Sequence, residues 1–231
     1  MHMKKIRTFT VTILILAATI QAAALTLTHK DGTAASGEAE AWIPEASVPE
    51  AGVPETGVPH GLAQWRKATY RDVRYRLHFN LPEARDERVT GEVTVTLALE
   101  RPADIILDFR EPASSIHSVS INAAGAMHAD PGETPYIIRN EHIIIPAAMT
   151  RAGENTVEIR FTAGDQSLNR NDGFMYTLLV PDRARTLFPC FDQPDIKALY
   201  TLSLELPADW TAVSNTYIAS EEEIAPQSRK A

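Results

Sequence analysis

The sequence predicts an all-β protein, a twisted antiparallel β-sandwich or saddle that follows a signal peptide and a disordered proline-rich linker. Two long segments alternate apolar and polar residues with a period of two, which is typical of half-buried strands. Fifteen prolines and eleven glycines punctuate the chain, and few segments show a helical period. Apolar residues make up 44% of the 231 residues, which is enough to form a core.

The first 24 residues have the composition of a secretory signal peptide. Lys4, Lys5 and Arg7 precede an apolar run at residues 9–20, and three alanines at 22–24 follow it. An uncleaved membrane anchor is the alternative, but spanning a bilayer takes about 20 apolar residues and threonines interrupt this run. We therefore expect an exported protein that is periplasmic, secreted or on the cell surface.

The charge balance excludes a nucleic-acid function. The leader carries three of the 22 basic residues and none of the 30 acidic ones, so its removal changes the formal net charge from −8 to −11. An acidic chain without a basic cluster repels nucleic acids and anionic membrane surfaces.

Residues 25–64 are predicted to form a linker. Prolines recur at every fifth position, 44, 49, 54 and 59, and glutamates at 45, 50 and 55 keep the segment solvated. Proline removes backbone donors and favours extended conformations in the residue before it. A proline-rich ligand for a partner is the alternative to a spacer.

The folded domain is predicted to begin near Trp65 and to extend to Ala231, with its last part incomplete. Residues 73–81 and 89–99 alternate and are expected to pair as an antiparallel hairpin across the polar turn between them. Further strand candidates, separated by Pro, Gly, Asn and Asp, are residues 105–109, 116–121, 136–138, 142–145, 156–161, 200–206 and 210–213.

A stiff corner is predicted around residues 185–198. Pro189 and Pro194 favour extended geometry in the residues before them, and Asp192 is expected to pair with Arg183 or Arg185. Cys190 is the only cysteine, so it forms no internal disulfide, and a lone thiol of this kind is more often a small buried apolar residue than a nucleophile.

The corner resembles the aminopeptidase N family of zinc metallopeptidases. The matching residues are Phe188, Pro189, Cys190, Phe191, Asp192, Gln193, Pro194, Asp195 and Lys197, followed by an alternating strand and the string at 210–215. Residues 70–77 and 153–157 also fit the first domain of that family, so the resemblance spans about residues 65–215.

The resemblance implies a saddle-shaped β domain that packs on a thermolysin-like zinc domain and lines one side of its cleft. Tyr176, Thr177 and Val180 are the candidate cleft-lining residues. The family usually has Gln or Glu at the position of Val180, where it binds the free amino terminus of the peptide, and valine cannot accept that hydrogen bond. A buried strand at a domain interface is the structural alternative for this segment.

No catalytic residue, metal ligand or cofactor is predicted in this chain. The family chemistry needs His-Glu-x-x-His on a helix, and none of the seven histidines has that spacing. The leading hypothesis is therefore an inactive front part of an exported zinc aminopeptidase whose partner is the missing zinc domain and whose substrates, when complete, are peptides. A stand-alone sandwich that binds a peptide or a separate zinc domain is the alternative, and a carbohydrate-binding sandwich is the weakest hypothesis.

Overall fold

The computed structural model describes residues 4–11, 54–122, 124–128 and 136–224. The rest of the predicted leader, and the predicted linker as far as residue 53, lie outside these ranges. The elements are β1 (Lys4–Val11), α1 (His60–Thr69), β2 (Tyr70–Asn80), β3 (Thr90–Leu99), β4 (Ile105–Asp108), β5 (Ile116–Ile121), β6 (Ala124–His128), β7 (Ile137–Arg139), β8 (His142–Ile145), β9 (Gly153–Thr162), β10 (Leu168–Arg170), β11 (Met175–Thr177), β12 (Leu199–Pro207) and β13 (Ile218–Ile224). Three short 3-10 turns lie at Ala113–Ser115, Ala147–Met149 and Ala184–Thr186.

The predicted hairpin of β2 and β3 forms the centre of the larger sheet. The two strands pair antiparallel, with Leu77 opposite Val93 and Tyr75 opposite Val95. Every second residue of β3 is buried, because successive side chains of a strand point to opposite faces. The hairpin prediction is confirmed.

The larger sheet has eight strands in the order β13-β1-β12-β2-β3-β9-β5-β6. Its pairings are antiparallel except that between β12 and β2, which is parallel. The all-β fold class is confirmed, and the expectation of a wholly antiparallel sheet is corrected at this one pairing. A parallel neighbour needs a long crossover, and the chain from residue 81 to residue 198 supplies it.

A second sheet of three strands, β4-β8-β7, completes the sandwich. Every residue of β4 and β8 is buried, as expected of strands covered on both faces. The ring of Phe109, directly after β4, contacts that of Phe161 in β9 edge to face, with 5.8 Å between centroids. The buried apolar residues of both sheets form one core cluster.

Helix α1 corrects the predicted linker boundary. It begins at His60, and its residues Leu62, Trp65 and Arg66 are buried at helical spacing. The preceding segment also touches the domain, since Asn140 Nδ2 donates to the carbonyl of Pro54 at 3.0 Å. Residues 54–64, predicted as linker, therefore belong to the folded part.

The first described residues form a strand that the sequence does not predict. β1 pairs with β12 on one side and with β13 on the other. Removal of this segment with a signal peptide stays a prediction. Within the described ranges, no helix is long and apolar enough to cross a bilayer.

Candidate functional site

The predicted corner is built into the edge of the smaller sheet. Asp108 N donates to the carbonyl of Cys190 at 2.7 Å, and Cys190 N donates back at 3.1 Å, which forms an antiparallel bridge. Phe188 and Phe191 are buried on either side of this bridge. The predicted corner is thus joined to β4 by one isolated β-bridge, with bends and turns on either side of it.

A buried charge network holds the corner. The guanidinium of Arg66 and the carboxylate of Asp108 form a bidentate ion pair, and both side chains are fully buried. Asp108 also accepts the backbone N–H of Asp192 at 2.9 Å and lies 2.9 Å from Nδ1 of His142. Burial alone would raise the pKa of Asp108, but the hydrogen bonds from His142 and Arg66 outweigh burial and lower it.

The network joins segments that are distant in the chain. Gln193 Oε1 accepts from Arg66 at 3.4 Å, while Gln193 Nε2 donates to the carbonyl of Ala63 at 3.1 Å and to Asp195 at 2.8 Å. Nε2 of His142 lies 3.0 Å from the carbonyl of Glu55. The carboxylate of Asp108 therefore connects helix α1, strands β4 and β8 and the corner.

Aromatic contacts complete the packing of the corner. The ring of Phe191 lies 4.9 Å from that of Tyr70 and 5.5 Å from the guanidinium carbon of Arg66. The hydroxyl of Tyr75 accepts the backbone N–H of Phe191 at 2.9 Å. Burial raises the pKa of Tyr75 well above its usual range, so this phenol stays neutral. These roles are structural.

The thiol of Cys190 is buried in the corner and forms no disulfide. Burial raises the pKa of the Cys190 thiol well above its usual value, and the nearby carboxylates of Asp192 and Asp108 add to the rise. A protonated thiol is a poor nucleophile, so the interpretation of Cys190 as a buried apolar residue is confirmed.

The predicted pairing of Asp192 is corrected in its donor. Asp192 accepts the backbone N–H of Arg185 at 3.1 Å, and no guanidinium among the described residues pairs with it. The guanidinium of Arg185 instead binds Asp182 at 3.0 Å and lies 3.7 Å from Glu141. Burial raises the pKa of Asp192, because a half-buried carboxylate with a neutral donor loses hydration.

Of the predicted cleft-lining residues, Tyr176 and Thr177 lie on an exposed hairpin and Val180 lies in the turn that follows it. β10 and β11 pair antiparallel, with Asn169 opposite Tyr176. Tyr176, Thr177 and Val180 are exposed in this chain, and the ring of Phe174 stacks on that of Tyr176 with centroids 6.2 Å apart. Their role in lining a cleft stays a prediction.

Arg170 anchors this hairpin to the turn between β2 and β3. Its guanidinium donates to the carbonyls of Arg85 at 2.8 Å and Glu87 at 2.6 Å, and to those of Pro82 and Ala84 at 3.3 Å. Sequence patterns do not reveal this role, because all four acceptors are main-chain oxygens. The hairpin is thereby held at a defined place on the domain.

The described residues do not fit a catalytic zinc. They contain no group of three or more His, Cys, Asp or Glu side chains that could hold a metal ion. Nδ1 of His142 faces Asp108, and Nε2 of His117 lies 2.8 Å from the hydroxyl of Thr162.

Comparison with known proteins identifies one domain family and several aminopeptidases as similar to this chain. The sequence profile of the Peptidase M1 N-terminal domain matches residues 70–230. The chain is 29% identical over 148 residues to Aminopeptidase M1-A of Oryza sativa subsp. japonica, covering 58% of this chain and 17% of the relative. It is 28% identical over 115 residues to Aminopeptidase N of Streptomyces lividans, covering 45% and 12% respectively.

Among the solved structures with a similar fold is aminopeptidase A of Legionella pneumophila in complex with aspartic acid, with a TM-score of 0.50 and 18% identity over 59% of this chain and 16% of that chain. The present chain therefore spans less than a fifth of the length of each of these three proteins.

Proposed function

Because the chain belongs to the Peptidase M1 N-terminal domain family, we propose that it is the non-catalytic β domain of an exported zinc aminopeptidase. In this role it docks on a zinc peptidase domain and closes one side of the cleft where N-terminal residues are removed from peptides. Zinc and the catalytic groups belong to the docked domain. The buried, inert groups of the corner support a structural role for this chain.

The observation that carries the proposal is a set of exposed apolar residues on the hairpin and the turn that follows it, which we term the hairpin surface. Its members, Phe174, Tyr176, Leu178 and Val180, are 64%, 45%, 52% and 84% exposed. The rings of Phe174 and Tyr176 stack on each other, and the N–H of Leu178 extends the pairing of the hairpin by donating to the carbonyl of Ser167 at 2.9 Å. A patch of large, exposed apolar side chains on a protein surface usually marks an interaction site.

The hairpin surface is supported on both sides, which suits a docking element. The Arg170 guanidinium fixes it to the turn at residues 82–88, and Arg183 N donates to the carbonyl of Leu179 at 3.0 Å where the hairpin enters the corner. A surface that is rigid before binding loses less conformational entropy on association.

A binding measurement tests the proposal. The full chain is titrated with the zinc peptidase portion of the Streptomyces lividans aminopeptidase N, produced without its matched region and shown to unfold cooperatively. We expect saturable binding by calorimetry, and a Tyr176→Asp/Val180→Asp variant should bind at least about tenfold more weakly, as for a central apolar contact. Val213→Asp/Tyr217→Asp is the matched control, because it makes the same two changes at residues that are 90% and 92% exposed and lie outside the hairpin surface.

Two results would contradict the proposal. One is the absence of binding to a folded zinc domain, and the other is equal weakening by the hairpin variant and the control. A chelator-sensitive release of amino acids by the chain alone would contradict the non-catalytic assignment.

A further inference from the structure

Strand β1 fills an internal position of the larger sheet although it lies outside the family region. It pairs antiparallel with β12 from Lys4 opposite Pro207 to Val11 opposite Tyr200, and with β13 from Lys4 opposite Ile224 to Phe9 opposite Ile218. The matched region, residues 70–230, contains both neighbours but not β1. In the described part of the chain, β13 joins the sheet only through β1.

The strands on either side of β1 carry acidic side chains, and β1 itself carries basic ones. Arg7 lies opposite Glu221 in register, with 2.8 Å between the guanidinium NH2 and Oε1. Lys4 Nζ lies 3.1 Å from Oε1 of Glu205, and Lys5 Nζ donates to the carbonyl of Ala208 at 2.6 Å. Opposite charges on directly paired strands stabilise the pairing and set its register.

Two of the three cations are held inside the structure, while the side chain of Lys4 is 41% exposed. The side chains of Lys5 and Arg7 are only 10% and 11% exposed. Emptying the position would leave the cation-binding carboxylates of Glu205 and Glu221 unpaired and would expose two strand edges, which are prone to pair with other chains. The sheet is therefore more stable when a basic strand is present.

We propose that the gap between β12 and β13 is a strand-acceptor site for the chain's own residues Lys4–Val11, and that pairing there withholds the predicted leader from processing. Lys4, Lys5 and Arg7 are the cations of that leader, and a segment paired on both edges cannot at the same time be bound by an export machinery. Folding around β1 and removal of the leader thus compete. The inference rests on the predicted leader and not on the proposed docking.

Amide hydrogen exchange on the purified full chain tests the pairing. We expect residues 4–11 to exchange at least about 100-fold more slowly than in an unstructured peptide, as for amides inside a cooperative unit. Glu221→Lys should speed this exchange about fivefold to tenfold by turning an ion pair into a repulsion. Adding Arg7→Glu to that variant should restore protection.

Glu222→Lys is the matched control. It makes the same charge change one residue along β13, and Glu222 forms no ion pair with another described residue. Protection of β2, β3 and β9 in every variant shows that the domain remains folded. The proposal would be overturned if residues 4–11 exchanged rapidly while β2, β3 and β9 stayed protected. It would also be overturned if residues 4–11 were protected only in a dimer, because a second copy of the chain would then supply the strand.

Leader removal in exporting cells tests the competition, with the N-terminus of the product read by mass. Glu221→Lys and Glu205→Lys leave the leader sequence intact, so they act on it only through the pairing. Each should raise the processed fraction, by up to about the factor by which it frees residues 4–11. A processed fraction equal to that of Glu222→Lys would refute the masking of the leader.

Discussion

Replacing Asp108 by asparagine removes the carboxylate that holds the corner to helix α1. Each of its oxygens accepts two hydrogen bonds: Oδ1 faces Arg66 and His142, and Oδ2 faces Arg66 and the backbone N–H of Asp192. If the amide nitrogen takes the place of Oδ2, it meets two donors, the Arg66 guanidinium and the Asp192 N–H; if it takes the place of Oδ1, it meets the Arg66 donor, while Nδ1 of His142 can accept from it. In both orientations the Arg66 charge stays buried without a counter-charge. Breaking one partner of a buried ion pair costs about 3–5 kcal/mol.

Urea unfolding of the full chain measures this loss. With a slope of about 2–3 kcal/mol per molar urea, the midpoint should fall by about 1–2.5 M. Glu92→Gln is the control, because the Arg160–Glu92 pair at 3.0 Å is exposed and such pairs contribute under about 1 kcal/mol. Arg66→Met/Asp108→Leu should be less destabilised than Asp108→Asn, because no charge is left buried.

The same carboxylate predicts part of the acid sensitivity. Its pKa is lowered in the folded state, so its contribution to stability is present above the unfolded value of about 3.9 and is lost as the pH falls through the lower folded pKa. Asp108→Asn should therefore show a shallower loss of stability below about pH 4. The reasoning would be refuted if Asp108→Asn were as stable as Glu92→Gln and lost stability below about pH 4 as steeply as the parent chain does.

Three further predictions concern single positions. Gly91→Ala should destabilise the domain by about 1–3 kcal/mol in urea unfolding, since its Cβ would lie 2.6 Å from Cζ of Phe161, and unchanged stability would show that the ring moves aside. Arg170→Lys should make residues 82–88 more sensitive to limited proteolysis, because one ammonium cannot replace the four carbonyl contacts, and equal cleavage of parent and variant would contradict this role. Cys190 should react with a maleimide at pH 8 only as fast as the chain unfolds, and rapid labelling of the folded chain would contradict its burial.

Short-range patterns were sufficient for several elements. The period-two alternation around Leu77 and Val93 predicted the β2–β3 hairpin. The apolar row at 174, 176, 178 and 180 is also visible in the sequence as an alternation, although its exposure is not. Helix α1 was missed because the proline repeat and Gly61 conceal the helical spacing of Leu62, Trp65 and Arg66.

The sequence by itself determined the family, the all-β class and the absence of a His-Glu-x-x-His string, because these depend on local order along the chain. Only the tertiary structure showed that Arg66, Asp108 and His142 meet in the core, since they lie 42 and 34 residues apart and each is ordinarily a surface residue type. It also decided that Lys4–Val11 lies between β12 and β13. Strand edges and buried charges are satisfied by partners that folding brings together, and a linear pattern does not name those partners.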